Sequence, residues 1–178
     1  MSTRRLISEG VVYDTHVNMS TQPQEYSVFR FEDYTYWFRA GREERIRFSV
    51  DHPILLTGVG LYGNYGYDYN VFLQVIDCET REVLTSETST RSEYDDHNIY
   101  RIPLSQPVEI LAGIKSYEVA VIAKGVEWFF GISGRQVVEK VVDESGHKIR
   151  FTFHDAPDSC HTDVNKGQIP ELIFRLCY

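Results

Sequence analysis

From residue 45 onward, apolar side chains return at every second position. Ile46, Phe48 and Val50 alternate with Arg45, Arg47 and Ser49, and Tyr117, Val119 and Val121 follow Ser116 and Glu118 in the same rhythm. Ile149, Phe151 and Phe153 alternate with Lys148, Arg150 and Thr152. A period of two lines one face of an extended chain, so each stretch predicts a half-buried strand. Residues 69–78 (YNVFLQVIDC) are apolar on both faces and predict a central strand. Turn chemistry separates the stretches: Asp51-His52-Pro53, Gly63-Asn64-Tyr65-Gly66, Cys78-Glu79-Thr80-Arg81, Lys124-Gly125 and Asp143-Glu144-Ser145-Gly146. Turn signals spaced by about ten residues belong to a sandwich or barrel.

Composition agrees. Eighteen valines, thirteen isoleucines, eleven threonines, twelve tyrosines and ten phenylalanines stand against ten leucines and five alanines. β-branched and aromatic side chains fit a pleated surface, whereas Ala and Leu are the favoured helix fillers. No three-turn helical pattern and no solenoid or propeller repeat is present. The expected fold is all-β, a single-domain antiparallel β-sandwich at residues 26–178, preceded by a tail or edge strand at 1–25 that includes Val11-Val12-Tyr13. A length of 178 residues buries a core without disulfides. Two polar segments, Thr85 to His97 and Asp155 to Gly167, read as long exposed loops, where function often sits.

Charge narrows the partners. The net charge is −8 and the pI about 5.2, which repels a phosphate backbone at long range and argues against nucleic acid. The cluster Arg39, Arg42, Arg45, Arg47 is diluted by Glu43 and Glu44 and reads as a mixed-charge solvated strand. The first ten residues lack the apolar core of a signal peptide, and the best apolar run, Ile54-Leu55-Leu56, is far too short to insert in a membrane. Three cysteines, Cys78, Cys160 and Cys177, without metal-type spacing argue for a reduced, cytoplasmic protein. The Asn18-Met19-Ser20 sequon is then expected to stay unused.

Two motifs look chemical and fail on context. Gly58-Val59-Gly60-Leu61-Tyr62-Gly63 matches G-x-G-x-x-G, and Asp77 lies about twenty residues on. A dinucleotide site needs a helix N-terminus after the glycines, and Asn64-Tyr65-Gly66-Tyr67 offers turn and strand chemistry instead. Gly58, Gly60 and Gly63 are therefore read as structural, where a strand bends or a neighbour comes close. His147, His154, Cys160 and His161, with Asp155, Asp158 and Asp163, lack the tight paired spacing of zinc sites. Cys160 and His161 are adjacent, so in extended chain they point to opposite faces and make a poor nucleophile–base pair. No cofactor, metal or catalytic residue is expected.

Tyrosine is the most informative polar residue. Tyr62, Tyr65, Tyr67 and Tyr69 surround one turn, and Tyr34, Tyr36 and Trp37 occupy another segment. Tyrosine offers large contact area for little lost entropy, so such clusters serve either a contact patch or sandwich-edge packing.

Phe29-Arg30-Phe31 through Trp37, Ile46 to Asp51 and Ile54 to Gly63 together resemble the PHR domain of giant ubiquitin ligases and BTB-domain proteins. The closing stretch Gly167-Gln168-Ile169-Pro170-Glu171-Leu172-Ile173-Phe174 is similar to the family's end signature. Gly131-Ile132-Ser133-Gly134 and Ile149 to Phe153 fall where the family has a glycine-bearing turn and an F-x-F strand, and the resemblance covers roughly residues 26 to 176. It implies a sandwich of about ten strands and a non-catalytic interaction module that binds a protein partner, a ubiquitin-ligase substrate or component. It adds Gly131, Gly134 and Gly167 to the structural glycines. Residues 1–25 are too few for a BTB, BACK or RING domain, so an excised domain or a stand-alone member is expected. The candidate partner-binding residues are Tyr62, Tyr65, Tyr67, Glu93, Asp95, Asp96, Asp158 and His161, with aromatics anchoring and acidic groups steering a basic partner. A lectin-like or small-ligand-binding sandwich is the alternative.

Overall fold

The alternating stretches pair as their periodicity requires. The structure, a computed structural model, describes residues 23–37, 41–63, 69–91, 98–124 and 128–177. Among these residues there are twelve strands and no helix: β1 (Tyr26–Phe29), β2 (Phe31–Trp37), β3 (Glu43–Val50), β4 (Ile54–Tyr62), β5 (Tyr69–Asp77), β6 (Val83–Arg91), β7 (Ile99–Ile110), β8 (Tyr117–Lys124), β9 (Trp128–Gly134), β10 (Val137–Val141), β11 (Lys148–Asp155) and β12 (Glu171–Leu176). They form a four-stranded sheet in the order β1-β12-β4-β7, a six-stranded sheet in the order β10-β11-β3-β8-β5-β6, and a two-stranded ribbon, β2-β9. Every pairing is antiparallel.

The core lies between the two larger sheets. Ile46, Phe48, Val50, Val119, Val121, Leu73, Phe151 and Phe153 of the six-stranded sheet share one buried cluster with Leu56, Val59, Leu61, Ile102, Ile110, Leu172 and Phe174 of the four-stranded sheet. Phe151 and Phe174 bridge the layers with ring centroids 5.1 Å apart. This is the expected β-sandwich, with twelve strands where about ten were implied. The inward sets of β3, β8 and β11 are the ones the alternation selects.

Strand β4 carries a register shift between Leu56 and Gly58. Ile54 and Leu56 before it and Val59 and Leu61 after it therefore all join the core. Gly58, Gly60 and Tyr62 are left on the outer face of the four-stranded sheet.

Two expectations need correction. Thr85 to Arg91 is not loop but most of β6, an edge strand. Its Thr and Ser residues suit a strand paired on one side only, and their polarity marks exposure rather than irregular backbone. The second concerns the arginines of β3, which are ion-paired rather than solvated: the Arg45 and Arg47 side chains are 14% and 27% exposed, and both pair with the buried Glu118 of β8. Strand β5 is central as anticipated, paired with β8 on one side and β6 on the other, and Phe72 on its outer face is 40% exposed. Residues 1–22, with the Val11-Val12-Tyr13 segment, and Arg39 lie outside the described residues.

Candidate interaction site

One row of residues crosses the outer face of the four-stranded sheet: Phe29 of β1 opposite Glu171 of β12, Glu171 opposite Gly60 of β4, and Gly60 opposite Arg101 of β7. Gly60 has no side chain to fill its place in the row. Arg101 reaches over it, donating from Nε to Glu171 Oε2 at 2.8 Å and from Nη2 to Oε1 at 3.0 Å. A Cβ on Gly60 would lie 2.8 Å from Glu171 Cβ and 2.9 Å from Ile99 Cγ2. Gly58 is similar, since its Cβ would stand 3.1 Å from the Ile102 carbonyl oxygen. Gly63 is buried and donates its N–H to Asn98 at 2.9 Å.

Beside that row lies a cavity of about 220 Å³, lined by Phe29, Phe31, Glu32, Asp33, Tyr34, Tyr62 and Ile99. Phe31, Tyr62 and Ile99 are buried and form a small apolar cluster of their own, with Phe29 and Phe129 packed on it. The ribbon β2-β9 makes the wall. Tyr34 stands edge-on to Phe129 at 5.1 Å and 5.6 Å from Tyr62, and Tyr36 stands edge-on to Phe129 at 4.9 Å. Tyr34 and Tyr36 remain 39% and 45% exposed. Two exposed carboxylates, Glu32 and Asp33, complete the lining.

Glycines and one buried arginine seat the ribbon. Gly131 and Gly167 exchange backbone hydrogen bonds at 2.8 and 3.0 Å, and a Cβ on Gly131 would enter the Phe31 ring. A Cβ on Gly134 would meet the Val164 carbonyl. Gly167 has φ +144°, and its Cβ would strike Thr162. Arg30, between β1 and β2, is 1% exposed and donates from Nε to the Ile169 carbonyl at 2.6 Å and from Nη1 to the Asp163 carbonyl at 2.9 Å. Its guanidinium lies 3.9 Å from the Phe31 ring centroid. Burial draws the Arg30 pKa down to about 9 against the opposing charge of Asp163, and burial also pushes the Tyr62 phenol up to about 12.

The sequence-chosen residues divide three ways. Tyr62 lies at the cleft, but as a 6%-exposed floor rather than an exposed tip. Tyr65, Tyr67, Glu93, Asp95 and Asp96 lie outside the described residues, although Gly63 and Asn98, which border their segments, are hydrogen-bonded to each other next to the cleft residues Tyr62 and Ile99. Asp158 and His161 belong to the loop between β11 and β12; Asp158 is exposed, and His161 meets Glu44 of β3 instead. Phe31, Glu32, Asp33 and Ile99 were missed. The signal for them was the run Phe29, Phe31 with Tyr34, Tyr36, split between two strands at Arg30.

The Cys160–His161 geometry corrects the sequence reading. The two do not point apart: Cys160 Sγ stands 3.9 Å from His161 Nε2. The chain bends here rather than running extended, because Glu44 Oε2 accepts the backbone N–H groups of both His161 (3.0 Å) and Thr162 (2.7 Å).

Among the described residues the chain is a helix-free antiparallel β-sandwich with an aromatic cleft edged by carboxylates. The PHR domain profile matches residues 29–175, and the chain belongs to the PHR domain family. It is 31% identical over 154 residues to BTB/POZ domain-containing protein 6-B of Danio rerio, which covers 82% of this chain and 30% of that protein. It is 30% identical over 180 residues to the E3 ubiquitin-protein ligase highwire of Drosophila melanogaster, covering 94% of this chain and 3% of the ligase. It is 31% identical to the E3 ubiquitin-protein ligase MYCBP2 of Danio rerio over 86% of this chain and 4% of that protein. The chain thus spans under a third of these relatives and corresponds to their PHR portion. Among the described residues no helix is long and apolar enough to cross a membrane.

Proposed function

We propose that this chain is a non-catalytic protein-interaction module serving a ubiquitin-ligase pathway in the cytoplasm, and that it takes its partner at the aromatic cleft between the four-stranded sheet and the ribbon. The cleft carries the proposal. It joins rigid aromatic area at Phe31, Tyr34 and Tyr62 to the carboxylates of Glu32 and Asp33. Aromatic faces with nearby carboxylates favour a lysine or arginine side chain. A net charge of −8 steers the same class of partner at long range. The cavity volume, about 220 Å³, lies below the roughly 300–1,000 Å³ of small-molecule sites and fits capture of one side chain of a peptide.

Selection of a displayed random-peptide library against the chain tests this. The expected result is enrichment of Lys or Arg beside an aromatic or aliphatic residue. A selected peptide should lose roughly tenfold in affinity to Tyr34→Ala and to Asp33→Asn. Both positions are exposed, so the fold should survive. Peptides without basic residues, or equal binding to both variants, would sink the proposal.

A further inference from the structure

We infer that Glu44, Cys160 and His161 form a binding site for a zinc-class divalent cation. The site is separate from the aromatic cleft and does not depend on the function proposed for it. One ligand atom from each residue can be chosen so that all three lie within 4.8 Å of one another. Ligands of a tetrahedral zinc, at about 2.0–2.3 Å from the metal, are roughly 3.3–3.6 Å apart. Closing the trio therefore needs about 1 Å of movement, within reach of side-chain rotation at Cys160 and His161.

The donor set selects the metal. One thiolate, one imidazole and one carboxylate suit a borderline cation such as zinc, and are wrong for magnesium or calcium, which take oxygen. Three protein ligands leave one position for water or for a group from a partner.

The site is built rather than accidental in its surroundings. Glu44 is 5% exposed. Its Oε2 is held by the N–H groups of His161 and Thr162, while Oε1 faces His161 Nδ1 at 3.1 Å. The Cys160 N–H donates to the Glu43 carbonyl at 3.0 Å, and the Arg45 N–H donates to Ser159 Oγ at 2.9 Å. Hydrogen bonds at three consecutive β3 residues, Glu43, Glu44 and Arg45, thus fasten the loop to the strand and hold Cys160 and His161 beside Glu44. Exposed Arg42 donates to Cys160 Sγ at 3.4 Å and is placed to keep an outer hydrogen bond to the coordinated sulfur. Binding exchanges the His161–Glu44 contact for two metal bonds and adds a third to the Cys160 sulfur.

The test uses the full chain, reduced and freed of metal with a chelator, and titrated separately with zinc and cobalt ions. One equivalent should bind. Cobalt should give a thiolate charge-transfer band in the near ultraviolet, and saturating zinc should raise Tm by roughly 5 °C. Cys160→Ser should abolish the band, and both it and His161→Ala should weaken zinc on the order of 100-fold. His154→Ala, at an exposed position on β11, should change nothing. No saturable binding overturns the inference. So does binding that survives Cys160→Ser, which would place the ion elsewhere, for instance at Cys177.

Discussion

Arg101 holds Glu171 across the empty place left by Gly60. The ion pair spans three adjacent strands, with Arg101 on β7, Gly60 on β4 and Glu171 on β12. A side chain on the middle strand would stand in the path of the guanidinium. The glycine is thus required by a contact between its two neighbours. Gly60→Ala should cost about 1–3 kcal/mol through overpacking against Glu171 and Ile99. Gly60→Glu adds a carboxylate beside a buried one and should cost more than about 4 kcal/mol. Urea denaturation measures both; a Gly60→Glu protein as stable as the parent would refute the account.

The pair is asymmetric. The Glu171 side chain is fully buried, whereas that of Arg101 is 45% exposed. Removing the arginine strands a buried charge, but removing the carboxylate leaves a cation that water can reach. Arg101→Met should therefore cost roughly 3–5 kcal/mol and Glu171→Gln only about 1–2 kcal/mol. Equal losses in the two variants would show that the carboxylate is better solvated than its burial implies.

Local pattern made the sandwich readable and left the cleft obscure. Phe48, Val119 and Phe151 each announce an inward face through their own neighbours, so alternation finds them without tertiary knowledge. The segments that carry the family resemblance, Phe29 to Trp37 and Gly167 to Phe174, meet in the fold: the Arg30 N–H donates to the Pro170 carbonyl at 3.0 Å. The cleft and the Glu44 cluster depend on partners far apart in sequence. Glu44 lies 117 residues from His161, and nothing in the sequence around either residue points to the other. The β6 misreading has another source. Polarity alone cannot separate an exposed loop from an edge strand whose side chains face water.

Acid should weaken the outer face of the six-stranded sheet at Glu118. Burial pushes the Glu118 carboxyl up, but hydrogen bonds from Arg47 and Arg45 outweigh this and hold it below its usual value of 4.5. A carboxyl with a depressed folded pKa adds stability above its unfolded pKa and loses it as pH falls through the folded value. The contribution should therefore be complete at neutral pH and disappear below about pH 4.5. Glu118→Gln should lower stability at pH 7 and flatten the fall as pH drops below about 4.5, as followed by urea midpoints across pH. A parallel offset at every pH would assign the acid sensitivity to the other carboxyls held low, those of Asp51, Asp77, Glu87, Glu139 and Asp143.

Tyr34 and Tyr62 share the cleft but should respond differently. Tyr62 is 6% exposed and packs against Phe31, so Tyr62→Ala should cost about 3–5 kcal/mol. Tyr34 is 39% exposed and mainly gives up its edge contacts with Phe129 and Tyr62, so Tyr34→Ala should stay within about 1.5 kcal/mol. Thermal melts of the two variants separate floor from wall. A severe loss for Tyr34→Ala would make the ribbon's outer aromatics part of the core.

Glu44 should stabilise the fold even without metal, while Cys160 should not. The Glu44 carboxylate accepts two backbone N–H groups that no other residue replaces once it is truncated. Hydrogen bonds to a charged acceptor are worth roughly 1.5–3 kcal/mol each before the loop relaxes to recruit water. Glu44→Ala should thus cost about 2–4 kcal/mol in metal-free protein. Cys160 is half-buried and its Sγ contacts are with Arg42 and His161, so Cys160→Ser should stay within about 0.5 kcal/mol under the same conditions. Added zinc should then widen the gap between the parent and both variants, because each has lost a ligand. Chelator-treated urea titrations with and without the ion measure all four numbers. A large metal-free loss in Cys160→Ser would mean that the thiol packs the loop, and that the loop is not held by the carboxylate alone.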